Sequence, residues 1–296
     1  MTTCLAAVAK VNLSLRVLGK RSDGFHEIQT VFQAVDLADE VRVERAGEGI
    51  TLTVEGADLG PDYENLAYRA AARFLEASGG KKGIHVTLVK RIPAGAGLGG
   101  GSSDAAAVLR CLAASSPWFP QERLAHLGAA LGSDVPFFLG GSPLARAEGR
   151  GEMLTALPAL PAAHVVLALP PVHVSTAEAY GALGRGRLEP SAAGRGGVGG
   201  KGGDEPPRSW EEVAATLHND FEGEIAERHV PIARSLDALR GAGAKGALLS
   251  GSGAASFGLF ATAEEAARVA TRLESALGWR FVPVRTLTRM PEPRTC

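Results

Sequence analysis

The chain has 296 residues, with 31 Lys and Arg against 32 Asp and Glu, so no net field recruits a nucleic acid or an acidic membrane. The length exceeds the roughly 150 residues of one average domain, and hydrophobic residues make up 45%, enough for two packed cores. Cys4, Cys111 and Cys296 stand far apart, with no CxxC and no Cys/His cluster of metal-ligand spacing, which predicts a reduced, zinc-free, cytoplasmic protein.

In chain order, CLAAVA (4–9) is apolar but is ended by Lys10, too short for a signal h-region. Residues 8–17, VAKVNLSLRV, alternate: Val11, Leu13, Leu15 and Val17 on one face, Lys10, Asn12, Ser14 and Arg16 on the other. That predicts a strand with one buried face. Asp23-Gly24 marks a turn, and strands follow at 28–37, 40–45 and 50–56. Residues 64–77 have helical composition and stop at Ser78-Gly79-Gly80. A strand at 83–92 runs straight into PAGAGLGGGSSDAAA (93–107), and helices are predicted over 102–115 and 121–132. DVPFFLGG (134–141) reads as extended because Val135 precedes proline. Residues 164–170 form a buried strand. The segment 181–203 holds ten glycines and cannot bury apolar surface, so a surface insertion is expected over 184–208. Helices near 209–217 and 222–240, a strand–loop–strand over 246–260, a helix over 263–276 and a strand over 280–287 complete the chain. No apolar run approaches the roughly 18 residues of a membrane span.

The strand–glycines–helix order is the informative one. Successive glycines let several N–H groups converge on one point. The helix behind them offers free N–H groups and the positive end of its dipole. Together they suit a phosphate, whereas a flexible turn with a serine cap is the plainer alternative. No GxxxxGK[ST] is present, which excludes a Walker-type loop. GxGxxG at Gly95, Gly97 and Gly100 is not followed by the acidic residue and second parallel strand of a dinucleotide fold. HRD and DFG are absent, which excludes a protein kinase. An RNA-binding module is disfavoured by 5% aromatic content and a net charge of −1.

PAGAGLGGGSSDAAA resembles the second motif of the GHMP kinases, and LLSGSGAASFGLF (248–260) their third. AKVNLSLRVLGKRSDGFHEIQTVFQAVDL, ENLAYRAA, GSDVPFFL, ARAEGRGEML, PPVHVSTAEAY and HNDFE resemble the branch of that family acting on a CDP-linked methylerythritol. The resemblance implies an α/β (α+β) chain of two domains: an N-terminal nucleotide domain like the second domain of ribosomal protein S5 (1–155), and a ferredoxin-like C-terminal domain (156–296). It implies ATP-dependent phosphorylation of the 2-hydroxyl of a small CDP-linked substrate, with Mg2+, by a monomer or weak homodimer that binds neither nucleic acid nor membrane. A GHMP kinase for a different alcohol is the alternative.

Residue by residue, the resemblance makes Asp134 the catalytic base and Lys10 its charged neighbour. Read alone, Asp134 is a turn aspartate and Lys10 a solvent-facing lysine. Pro93, Ala94, Gly95, Ala96, Gly97, Leu98, Gly99, Gly100, Gly101, Ser102 and Ser103 would hold the ATP phosphates, with Ser102 or Ser103 the metal ligand. Asn65 and Lys90 would line the adenosine side, although Asn65 could equally cap the helix that follows and Lys90 lie exposed at a strand end. Asn12 and Thr176 would contact the substrate. Phe25 and His26 would stack on cytosine and read its edge, opposite Tyr180, for which core packing is equally open. Gly251, Ser252 and Gly253 would form a second donor loop, or a tight turn.

Overall fold

The computed structural model describes residues 2–184 and 206–296. The glycine-rich stretch expected as an insertion lies almost wholly outside the described residues.

The first half builds one mixed sheet. Strands β1 (Thr2–Lys20) and β2 (His26–Glu44) form a long antiparallel hairpin across the Asp23-Gly24 turn. Next come β3 (Ile50–Glu55), α1 (Leu66–Ser78), β4 (Ile84–Val89), α2 (Gly100–Ala114), α3 (Gln121–Leu131), α4 (Val135–Leu139), β5 (Leu144–Glu148) and β6 (Met153–Ala156). The second half contributes β7 (His164–Leu169), α5 (Thr176–Leu183), α6 (Trp210–Thr216), β8 (His218–Asn219), α7 (Glu222–Arg228), α8 (Val230–Gly241), β9 (Gly246–Leu249), β10 (Ser256–Phe260), α9 (Ala263–Leu277), β11 (Arg280–Arg285) and β12 (Arg294–Thr295).

The large sheet has the order β12-β1-β2-β4-β3, with β5 and β6 continuing from β2 and β8 on β1. The small sheet, β11-β7-β10-β9, is antiparallel. Its order, read with the intervening helices, is the ferredoxin-like arrangement. The chain end returns to the first half: Leu287 N–H donates to Ala34, and β12 pairs with β1.

β1 changes partners along its length because the ladder shifts register at Val8/Ala9 and again at Asn12/Ser14. Leu5 and Ala7 pack with Phe74 of α1 and Val108 and Leu112 of α2. Beyond the first bulge, Ala9, Val11 and Leu13 pack with Val165, Leu167, Phe257 and Val284 of the small sheet. The opposite face, Lys10, Asn12 and Ser14, is also buried, at 4%, 1% and 3% exposure. A strand predicted to be half-solvated is therefore covered on both sides, and its polar face lies inside the molecule.

Four expectations are corrected. DVPFFL is not extended: Val135–Leu139 is a short helix, with Pro136 in its first turn, where a missing N–H leaves no helical bond unmade. The helix expected over 222–240 breaks at His229, just before Pro231, into α7 and α8. Strands expected at 28–37 and 40–45 are one continuous β2. Cys4 and Cys296, expected to be reduced, form a disulfide between β1 and the chain end, their Cα atoms 5.9 Å apart, while Cys111 is free and buried. Folding brings the two termini together, which spacing along the chain could not reveal.

Candidate active site

The glycine loop leaves β4 and climbs to α2 with every second residue in left-handed backbone: Gly95 at φ 66°, Gly97 at 76° and Gly99 at 72°. Any side chain at these positions would be strained. Between them Leu98 anchors in the core at 1% exposure, and its carbonyl accepts from Lys10 N–H at 3.0 Å. Gly99 is the N-cap of α2, so the free N–H groups of a 15-residue helix start at the loop's end. Ser103 is buried at 2% and lies beside Leu5, Ala7 and Val8 of β1. Ser102 is partly exposed, near Gly132 and hence the 132–134 turn.

The second glycine loop meets the first. Ser250 Oγ donates to the Gly97 carbonyl at 3.0 Å, and Ala255 N–H donates to that of Ala96 at 3.0 Å. The approach is so close that a Cβ on Gly97 would lie 2.2 Å from the Ser250 carbonyl oxygen. Gly251 and Gly253 are left-handed at φ 57° and 89°. Asn219 ties this turn to β8 through its amide, which donates to the carbonyls of Leu249 and Gly251 at 2.9 and 2.8 Å.

Lys10 stands where the two loops join. Its ammonium donates to the Gly97 carbonyl at 2.8 Å and to Asn12 Oδ1 at 2.7 Å, lies 3.6 Å from Asp134 Oδ2, and sits 5.3 Å from the centre of the Phe32 ring. Burial pushes it below the ordinary lysine value, against the opposing pull of Asp134. Asn12 in turn donates to Thr30 Oγ, and Thr30 donates to the Ser14 carbonyl, so the amide is locked in one orientation. The Asp134 side chain, 31% exposed, is the open member of this group.

The aromatic residues are arranged differently from expectation. Tyr180 stacks on His26, ring centres 4.3 Å apart and planes at 16°, and meets Phe221 edge-on at 4.9 Å. Phe25 is exposed and carries the Arg150 guanidinium 4.9 Å from its ring centre. His26 and Tyr180 thus come together, whereas Phe25 pairs with an arginine not foreseen from the sequence. Burial, aided by the nearby Asp134 charge, raises the Tyr180 hydroxyl to about 12. Burial, with Lys20 second, lowers His26.

Asn65 caps α1, its Oδ1 accepting from Ala67 N–H at 2.9 Å. Thr176 opens α5, and Ser252 completes the second turn between Gly251 and Gly253. Lys90 is not exposed at a strand end: its ammonium is buried between Asp39 and Asp104. Sequence reasoning missed Asp39, Thr30, Ser250 and His173, whose ring stands over Gly95, 2.6 Å from where a Cβ would be. Asp39 sits in none of the motifs, and Thr30, His173 and Ser250 lie within motif stretches that do not reveal what their side chains meet; topology brings all four in.

The two halves of this architecture are those of a GHMP kinase: the N-terminal domain model of that family matches residues 65–142 and its C-terminal model residues 207–278. A 4-diphosphocytidyl-2-C-methyl-D-erythritol kinase from Geobacter metallireducens is 43% identical over 290 residues, covering 96% of this chain and 98% of that protein. The kinase of the same name from Deinococcus radiodurans is 40% identical, covering 92% and 89%. A crystal structure of 4-(cytidine 5'-diphospho)-2C-methyl-D-erythritol kinase matches with a TM-score of 0.77 at 38% identity, over 96% of this chain and 98% of that one. A homoserine kinase from Cytophaga hutchinsonii, 19% identical with a TM-score of 0.69 over 99% and 96%, shares the fold. The chain belongs to the 4-diphosphocytidyl-2-C-methyl-D-erythritol kinase family.

Proposed function

We propose that the chain transfers the terminal phosphoryl group of ATP to the 2-hydroxyl of 4-diphosphocytidyl-2-C-methyl-D-erythritol, releasing ADP, in the non-mevalonate route to isoprenoid precursors. The observation that carries this reading is the position of Lys10, whose ammonium contacts both the Gly97 carbonyl of the glycine loop and the Asp134 carboxylate. One cation thereby links the backbone suited to phosphate with the carboxylate suited to a hydroxyl.

In the reaction Asp134 accepts the hydroxyl proton as the new O–P bond forms, and the bond to the departing ADP oxygen breaks. Lys10 lies 3.6 Å from the Asp134 carboxylate, orients it and neutralises charge on the transferring group. The N–H groups of the loop and of the α2 N-terminus hold the phosphates. Among the described residues no group of three or more His, Cys, Asp or Glu could hold a metal ion. That suits a cation carried mainly by phosphate oxygens. Mg2+ would offset the phosphate charge, and the part-exposed Ser102 is the hydroxyl that would hold it. Residues 1–155 carry the loop for ATP together with Asn12, Phe25, His26 and Asp134, and 156–296 add Thr176, Tyr180 and the second glycine loop on the substrate side. His26, Tyr180 and Phe25, with Thr176 nearby, form the aromatic end that receives cytidine, and base entry would separate the His26–Tyr180 stack.

Exposed large apolar side chains among the described residues are scattered (Leu18, Tyr63, Trp118, Met153 and Val230 beside Phe25), which favours a monomer or weak homodimer without nucleic-acid or membrane partners. No described helix is long and apolar enough to cross a membrane. Dependence on ATP favours a cytoplasmic location.

A coupled ADP-release assay comparing the CDP-linked substrate with simple alcohols tests the reading. Turnover is expected only with the former. Asp134→Ala is expected to lower kcat by about 10²–10⁴-fold, the span of a general base, with ATP affinity retained. Near-normal turnover in that variant overturns the base assignment.

A further inference from the structure

Behind the glycine loop lies a charged cluster that phosphoryl transfer does not use. The Lys90 ammonium, at the end of β4, donates to Asp104 of α2 at 2.7 Å and to Asp39 of β2. The second Asp39 oxygen accepts from the N–H groups of Arg91 and Ile92, at 2.5 and 2.8 Å. All three side chains are at most 4% exposed. Two carboxylates face one ammonium, and Asp104 Oδ1 is buried without a hydrogen-bond partner among the described residues.

A cluster of this kind contributes little net stability, because desolvation offsets the attraction between its charges. What it fixes is geometry. Lys90, Arg91 and Ile92 enter the segment that becomes the glycine loop, and Asp104 lies in the early turns of the helix that leaves it. Both ends of the loop are thereby tied to β2, the strand beneath. No bond of the cluster reaches the loop's own N–H groups, which stay available to a ligand.

We propose that Asp39, Lys90 and Asp104 are positioning residues for the nucleotide: they hold the two ends of the glycine loop at the spacing that receives phosphate, without touching it. This rests on the reading that the loop binds ATP. It reassigns Lys90 from a contact on the adenosine side to a brace beneath the loop. Burial above all, with the like charge of Asp39 and against the pull of Lys90, raises Asp104 to about 7, in keeping with a cluster that has one carboxylate more than its cation offsets.

The test is calorimetric titration of ATP-Mg into wild type and Asp104→Leu, with melting temperatures and steady-state kinetics on both substrates. Leucine severs the tie to α2 but leaves a balanced Lys90–Asp39 pair, so the variant is expected to fold with an unchanged or higher melting temperature. Its ATP affinity is expected to fall at least tenfold, while KM for the CDP-linked alcohol stays within twofold. Asp39→Asn, which cuts the tie at the other end, is expected to weaken ATP to a similar degree. Unchanged ATP affinity in Asp104→Leu overturns the inference, and so does a loss of melting temperature with affinity intact, the mark of a purely structural role. Weakened binding in Lys90→Met with normal binding in Asp104→Leu also overturns it, because the lysine would then touch the nucleotide itself. If wild type takes up no ATP, the underlying reading fails instead, and the wild-type titration alone reveals that.

Discussion

Gly97→Ala should separate the two glycine loops and cost nucleotide binding far more than one methyl group suggests. The added Cβ would sit 2.2 Å from the Ser250 carbonyl oxygen and 3.0 Å from that of Gly253, at a backbone φ of 76°. Left-handed backbone costs a non-glycine residue about 1–2 kcal/mol. Relieving the clash requires the loops to part by roughly 1 Å to reach normal van der Waals separation. Parting them strains the bonds that converge there: Lys10 and Ser250 to the Gly97 carbonyl at 2.8 and 3.0 Å, and Ala255 to Ala96 at 3.0 Å. At about 1 kcal/mol each, two or three of these bring the total to about 3–5 kcal/mol. If the protein yields by moving the loop, ATP binding weakens by at least about a hundredfold. Calorimetry with ATP-Mg and a thermal melt read the two possible destinations of that energy. Gly223→Ala is the control: it lies in α7, with nothing within 4 Å of a Cβ and no positive φ, and should leave binding untouched while adding up to about 1 kcal/mol of stability. A Gly97→Ala protein with normal ATP affinity and a normal melting temperature would refute the apposition of the loops.

Three further outcomes are expected. Burial holds Lys10 below the ordinary 10.5, and its ammonium is the form that favours phosphate, so ATP affinity should fall on the alkaline side before that value; Asp134→Asn, which removes the opposing pull, should move the fall to lower pH. Asp104 has a folded-state value of about 7 against 3.8 in the unfolded chain, so the native state keeps a proton that the unfolded state loses. Stability should therefore decline as pH rises from about 4 to 7 and level off above, by at most about 4 kcal/mol at about 1.4 kcal/mol per unit; urea titrations of Asp104→Asn should lack this component, and an unchanged slope would count against the assignment. Thiol titration of unreduced protein should find one cysteine, reactive only after denaturation, because Cys4 and Cys296 are paired and Cys111 is buried.

Local patterns in the chain were enough for most of the elements. Strand alternation and helix stops placed β4, α1, α2, α3 and α9 within a few residues, since each has a clear period and a Gly or polar cap at its boundary. The alternation of β1 also identified which residues share a face, but not what that face meets. Lys10, Asn12 and Ser14 read as solvated because a polar face usually is, and nothing within 8–17 says that the glycine loop and Asp134 close over it. α4 and the α7/α8 break were missed for a related reason: proline biases its neighbourhood, yet tertiary packing decides whether it opens a helix or ends one. Asp39 belongs to no motif, Thr30 and His173 lie in motif stretches that do not mark their roles, and each reaches the site through contacts more than 15 residues distant in sequence.

The burial of that polar face also explains why the site can work where it does. Lys10 would be an ordinary hydrated cation on an open strand, free to pair with any passing anion and worth little to any one of them. Held at 4% exposure, it has its three donor directions committed to Asn12, Gly97 and the side of Asp134. The lowered local dielectric strengthens what it does to Asp134 and to a nearby phosphate alike. The cost of burying it falls on the fold through desolvation, and the apolar seam of Ala9, Val11 and Leu13 against the small sheet offsets that cost on the strand's other face. Catalytic placement and domain union are thus two faces of one strand. A variant that loosens the seam, such as Leu13→Ala, should therefore reduce turnover as well as stability although Leu13 touches no reacting group, and a protein that lost only stability would show that the two faces are independent.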